Sequence, residues 1–266
     1  MSHEEGASLR QVRLHGLSFH AISEARCVEH ILRNLDAGRG GWVITANLDH
    51  HRRALRDQSY SFLCQKASLL VADGMLTVFA SRLQGTPLPE RVAGSDLISS
   101  LSAGAAGHGR SIYLLGGWPG SAEGARCVLE RRHPDLRIAG TDCPPMGFED
   151  DAAEFERVAS AVVEAAPDIV LVALGSPKQE LLIARLRGRL PRTWWLGVGI
   201  GFSFLSGHVR RAPRWMQRVG LEWLHRLAQE PRRLARRYLI EGMPFALGLL
   251  LCASRQRLLP RSGGRA

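Results

Sequence analysis

A chain of 266 residues, 45% hydrophobic and 23% charged, can bury a proper core and is too balanced in composition for a fibrous or disordered protein. Its five cysteines, Cys27, Cys64, Cys127, Cys143 and Cys252, form no CxxC pair and are odd in number, which argues against a disulfide framework or zinc ribbon and fits a reducing cytoplasm. The net charge of +10 is uneven: residues 1–207 hold 22 Lys+Arg and 22 Asp+Glu, so the whole excess sits in the last 59 residues, where a basic end can meet an anionic partner.

In chain order, the opening MSHEEGASLR carries two glutamates and no apolar core, unlike a secretory signal. No window offers roughly 18 uninterrupted apolar residues to span a bilayer. Helical periodicity over Ser23–Ala37 precedes apolar strands at Trp42–Ala46 and Leu69–Ala72. Helices follow at Met75–Leu83 and Ser95–Ala105, then a strand at Ile112–Leu115 and helices at Gly120–Arg132 and Ala152–Ala165. Two more strands, Ile169–Leu174 and Trp194–Val198, bracket a helix over Lys178–Leu190. Strands apolar throughout are expected when helices cover both faces of a parallel sheet. The pattern therefore predicts a Rossmann-like three-layer α/β fold with a mainly parallel sheet, occupying residues 1–207.

Residues 208–266 break the alternation. Arg214–Gln229 and Pro231–Ile240 read as helices, the second opened by a proline. An apolar Met243–Ala253 follows, then an end bearing Arg255, Arg257, Arg261 and Arg265. This predicts a basic helical C-terminal appendage. Arg232, Arg233, Arg236 and Arg237 are interleaved with Leu234, Tyr238 and Leu239. Basic and apolar residues on the same helices suit an anionic membrane surface. Nucleic acid could use the arginines, and a hairpin packed on its own body with a solvated face is the third reading.

Ligands of an open parallel sheet bind beyond the carboxyl ends of its strands. Those ends carry Thr45 and Asn47, Asp73 and Gly74, Gly116 and Gly117, Gly175 to Glu180, and Gly199. Glycines let backbone N–H groups approach an anion at helix N-termini, which makes Gly116, Gly117, Gly175 and Gly199 candidates for phosphate contact, although Gly116-Gly117 also fits a tight packing turn. Asp73 is either a turn or N-cap residue or a general base aimed into the cleft. Lys178 sits in a first helical turn, where the macrodipole disfavours a cation, so an anion nearby would explain it. Arg91 lies in a loop. No Asp-x-Asp occurs, and adjacent His50-His51 point apart, so neither a metal nor another cofactor is expected. A nicotinamide enzyme would want Gly-x-Gly-x-x-Gly after the first strand, which here ends Thr-Ala-Asn. A non-catalytic basic membrane or nucleic-acid adaptor would leave Asp73 and Lys178-Gln179 without a role.

The chain resembles the WecG/TagA/CpsF glycosyltransferases. The likeness runs through Thr45-x-Asn47, Ala72-Asp73-Gly74, Arg91-Val92-x-Gly94-x-Asp96, Pro144-Pro145-x-x-Phe148 and Gly175-x-Pro177-Lys178-Gln179-Glu180. It continues in Gly207-x-x-x-Arg211-Ala212-Pro213-x-Trp215 and Gly220-Leu221-Glu222-Trp223-Leu224-x-Arg226. The resemblance implies inverting, metal-independent transfer of N-acetylmannosamine, its uronic acid or glucose from a UDP-sugar to a polyprenyl-diphosphate-linked saccharide. Such enzymes serve bacterial surface polysaccharide synthesis at the cytoplasmic face of the membrane. By position it makes Asp73 the general base, Thr45, Asn47 and Gln179 acceptor-binding, and Arg91 the group facing the donor diphosphate. Arg226, Arg233 and Arg236 would complete the site at the membrane. Oligomeric state is left open.

Overall fold

The computed structural model describes residues 9–258; the signal-peptide reading of the first eight residues, and Arg261 and Arg265, lie outside them. The chain opens with a hairpin, β1 (Gln11–Leu14) and β2 (Leu17–His20), joined at His15 and Gly16, both at positive φ. There follow α1 (Glu24–Asp36), β3 (Gly41–Ala46), α2 (Leu48–Arg56), α3 (Gln58–Gln65), β4 (Leu69–Ala72), α4 (Met75–Leu83) and α5 (Gly94–Gly107). The second half of the body holds β5 (Ser111–Gly116), α6 (Ser121–Arg132), β6 (Arg137–Asp142), α7 (Ala152–Ala165), β7 (Ile169–Ala173), α8 (Lys178–Leu186), β8 (Trp194–Gly197) and α9 (Gly201–Leu205).

Six strands form one parallel sheet in the order β4-β3-β8-β7-β5-β6. Alternate residues of each strand enter opposite cores: Trp42, Ile44, Val170, Val172 and Trp195 on one face, Val43, Val71, Leu114, Leu171 and Leu196 on the other. Both faces are covered by helices, which is why these strands carry no polar face, and the expected three-layer α/β architecture is the one observed. The edge strand β6 is only half-buried and accordingly reads weakly in sequence.

The C-terminal region comprises α10 (Arg214–Val219), α11 (Glu222–Gln229) and α12 (Pro231–Leu258). Gly220, in the left-handed conformation, separates α10 from α11 within the single helix expected over Arg214–Gln229. Conversely, Pro231–Ile240 and Met243–Ala253 are one continuous helix, carried through by a π-helical segment at Arg236–Gly242. By length and composition α12 is the one helix among the described residues that could cross a membrane. One of its faces is nonetheless occupied: Leu234, Ala246, Leu249 and Ala253 are buried, and Leu249 and Ala253 join the core. The other face exposes Ile240, Met243, Leu247 and Leu251, spaced by three and four residues as one stripe. Two ion pairs pin α12 to α2, Arg52 to Glu241 (2.6 Å) and Arg237 to Asp49 (3.1 Å), while Arg52 and Asp49 also pair within α2 at 2.8 Å.

Candidate active site

The carboxyl ends of β3, β4, β7 and β8 open into a cleft of about 460 Å³, roofed by α11 and the π-helical part of α12. Thr45, Asn47, Asp73, Gly175, Gln179 and Gly199 line its floor; Trp223, Arg226, Arg233, Arg237 and Tyr238 line the roof. A second cavity of about 740 Å³ shares Arg91, Ser95 and Gln217 with it, so Arg91 stands in the dividing wall.

Asp73 is not an N-cap. That position of α4 is Gly74, at φ 155°, and no side chain caps the helix. The Asp73 backbone N–H donates to Ala46 carbonyl at 3.0 Å, tying β4 to β3 and leaving the carboxylate, 28% exposed, in the cleft. Desolvation pushes its pKa up to about 6; the Arg91 guanidinium opposes this, Glu222 adds to it, and His50 and Asp96 contribute less. A carboxylate with that affinity for protons is suited to take one from a hydroxyl near neutral pH.

Arg91 is largely committed within the protein. It bonds Asp96 Oδ2 at 2.7 Å, Glu222 Oε2 at 3.0 Å and Gln217 Oε1 at 3.3 Å, and lies 4.0 Å from Asp73 Oδ1. Arg211 completes the network, at 2.5 Å from Asp96 and 3.6 Å from Glu222. The arrangement binds the α11 roof to the α4–α5 loop and the first turn of α5, so Arg91 braces the wall beside Asp73.

Thr45 Oγ1 donates to Gly197 carbonyl at 3.4 Å. Asn47 caps α2, its Oδ1 accepting from the Asp49 and His50 backbone N–H groups. Gln179 is buried and accepts from the Gly199 N–H at 3.1 Å. These three expected residues are brought together with Asp73, Gly175 and Gly199 around one cleft.

The remaining expectations divide. Lys178 lines neither cavity; its anion is the protein's own Glu149, with which it pairs at the surface. That contact answers the macrodipole argument without a bound phosphate. Gly116 and Gly117 also line neither cavity. A Cβ at Gly117 would lie 2.3 Å from Ser121 Oγ, so the packing-turn reading accounts for this glycine. Arg226 lines the roof and its Nε is buried without a hydrogen-bond partner. Arg233 lines it while pairing with Glu230 at 2.6 Å. Arg236 does not line it: the side chain is 82% exposed and sits 3.5 Å from Glu241. Arg237, one residue on, takes the inward place through Asp49.

Sequence reasoning missed His50, Glu180, Glu222 and Arg237 as site residues. Glu222 and Arg237 were legible only as members of a charged helix, since their partners lie far away in sequence. Among the described residues no group of three or more His, Cys, Asp or Glu side chains could hold a metal ion.

A parallel α/β body with a carboxylate of raised pKa at a strand end and arginines roofing it has the constitution of a group-transfer enzyme. Residues 12–259 match the glycosyl transferase WecG/TagA/CpsF family, and the chain belongs to that family: it is a glycosyltransferase. It is 33% identical over 202 residues to the N-acetylglucosaminyldiphosphoundecaprenol N-acetyl-beta-D-mannosaminyltransferase of Bacillus spizizenii (strain ATCC 23059 / NRRL B-14472 / W23), covering 76% of each chain. The enzyme of the same name from Bacillus subtilis (strain 168) is 33% identical over 202 residues, 76% of this chain and 77% of that one.

Proposed function

We propose that this glycosyltransferase moves a hexose-type sugar from a UDP-sugar to a saccharide carried on a polyprenyl diphosphate, with inversion and without a metal, in bacterial surface polysaccharide synthesis. N-acetylmannosamine is the donor sugar favoured by the names of the two Bacillus relatives, ahead of its uronic acid or glucose. The observation that carries the reading is Asp73: an uncapped carboxylate, held near a pKa of about 6, in a cleft roofed by arginines.

In a single displacement, Asp73 takes the proton of the acceptor hydroxyl as its oxygen bonds to the anomeric carbon, and the bond from that carbon to the UDP oxygen breaks. Negative charge grows on the diphosphate. Arg226, whose Nε has no partner, together with Arg233 would meet it, aided by the Gly175 and Gly199 turns. The acceptor's lipid places the reaction at the inner face of the plasma membrane. The apolar stripe of α12 and exposed Trp215 and Val219 on α10 supply a surface for docking there. Roof and membrane surface belong to the same helices, so docking and completion of the cleft form one event.

The test is transfer from UDP-N-acetylmannosamine to lipid-diphosphate N-acetylglucosamine, alongside thermal shift with UDP and NAD. Product formation and a shift with UDP are expected; a shift with NAD and none with UDP would overturn the reading.

A further inference from the structure

Next to the cleft lies a buried histidine–glutamate pair to which the reaction above gives no role. His50 on α2 is 4% exposed and Glu180 on α8 is 1% exposed. Asn47 Oδ1 accepts the backbone N–H groups of Asp49 at 2.9 Å and His50 at 3.3 Å. Backbone amides only donate, so this cap fixes which end of the Asn47 amide is oxygen. The same oxygen lies 2.8 Å from His50 Nδ1, which therefore carries a proton.

On the other side of the ring, His50 Nε2 is 3.3 Å from Glu180 Oε1. That oxygen also accepts from Gln179 Nε2 at 2.8 Å, while Gln179 Oε1 accepts the Gly199 N–H at 3.1 Å. Asn47 Oδ1 thus accepts from Nδ1, and Nε2 and Glu180 Oε1 share one proton between them. Gln179 is wedged as well as bonded: a Cβ at Gly197 would come within 2.4 Å of its Nε2.

We infer that His50 and Glu180 are positioning residues, a buried pair that locks the amides of Asn47 and Gln179 with their oxygens committed inside the protein. What the two amides can then offer the cleft is N–H: both hydrogens of Asn47 and the second of Gln179. They grip a substrate oxygen, a sugar hydroxyl or an acetamido carbonyl, and refuse a substrate that presents only a donor there. The relay links the ends of β3 and β8 through α2 and α8, so loss of either partner removes one of the bonds that hold the two amides. The substrate assignment rests on the glycosyltransferase reading; the bonding of His50 to Asn47 and Glu180 does not.

The experiment pairs kinetics with ¹⁵N-histidine NMR of the full chain, using Glu180→Gln, His50→Gln and the double variant. The wild type is expected to show a protonated Nδ1 on His50 and a proton shared between Nε2 and Glu180, identified by loss of the signal in His50→Gln. In Glu180→Gln the Nε2 signal shifts and the KM for lipid-diphosphate N-acetylglucosamine rises about 10- to 100-fold, the range expected when a positioned contact is lost. UDP affinity stays within about twofold, and the double variant is no worse than the poorer single one, as for groups acting as a unit. A wild-type His50 with no proton on Nδ1, or a Glu180→Gln enzyme with wild-type acceptor KM and kcat, would overturn the inference. A wild type that transfers no sugar from any UDP-sugar refutes the proposed function instead, and the spectrum still decides the relay.

Discussion

Asp73 and Arg91 lie 4.0 Å apart without a hydrogen bond between them, while the same guanidinium makes shorter contacts to Asp96 and Glu222. The separation matters because a full ion pair would hold Asp73 ionised and make it a poor base. Arg91 keeps a cation close enough to limit the effect of burial, and the two other carboxylates dilute its pull. The result is a proton affinity raised by desolvation to about 6. Arg91 is thus a tuning and bracing group as it stands, rather than a free hand for the donor diphosphate.

The pH profile follows with a definite sign. A base works only when ionised, so kcat/KM should fall on the acid side with a midpoint near pH 6. Arg91→Ala removes the main cation opposing desolvation and should move that midpoint upward. Steady-state rates across pH check both, and an acid limb unchanged in Arg91→Ala would show that Arg91 does not tune the base.

Stability should respond in the opposite sense to activity. The folded pKa of Asp73 lies above its ordinary value of 3.8, so the folded state holds the proton more tightly and ionisation costs stability as pH rises through about 6. Asp73→Asn removes that cost. We expect a Tm higher than wild type by a few degrees at about pH 7.5, converging near pH 4. The same variant should bind UDP and lose kcat by about 10²- to 10⁴-fold; wild-type turnover would refute the base assignment.

The roof arginines should separate by orientation rather than by position in the sequence. Arg226→Ala is expected to lower kcat by about 10²- to 10³-fold, because the unpaired Nε of this residue is buried at a cleft-lining position. Arg236→Ala should fall within about twofold of wild type, since its side chain is 82% exposed and pairs with Glu241. Parallel transfer assays on the two variants test the contrast; equal losses would mean that the roof moves to bring Arg236 inward.

Much of this was legible in the sequence for a physical reason. Strands buried on both faces announce themselves as apolar runs, and an Asp-Gly at the end of one marks a carboxylate on the rim. The hairpin at Gln11–His20 was missed although Val12, Leu14, Leu17 and Phe19 alternate around His15-Gly16, because each strand has only four residues. Helices α2 and α3 were missed because they are short, capped at Asn47 and Asp57, and send only a few side chains such as Ala54, Tyr60 and Cys64 into the core. The fate of Lys178 was not legible at all: its partner Glu149 is remote in sequence and meets it only after folding. Likewise, the helical twist predicts that His50 and His51 diverge, but not that one meets Glu180 and the other the carbonyl of His15.

The two faces of α12 offer the sharpest separation of fold from membrane docking. Leu249 is fully buried in the core, whereas Leu247 and Leu251 on the same helix are 61% and 53% exposed. Leu249→Ala should destabilise the protein by about 2–5 kcal/mol through the cavity it leaves. Replacing Leu247 and Leu251 by serine deletes only apolar area that faces away from the body, so the Tm should hold within a degree or two. Liposome binding should fall in that variant, and turnover on lipid-linked acceptor should fall with it, because the same helix carries Arg233 and Arg237 into the cleft. Flotation with vesicles of anionic phospholipid, read beside a melting curve, distinguishes the outcomes. A double serine variant that floats and turns over like wild type would mean that α12 closes the cleft without touching lipid.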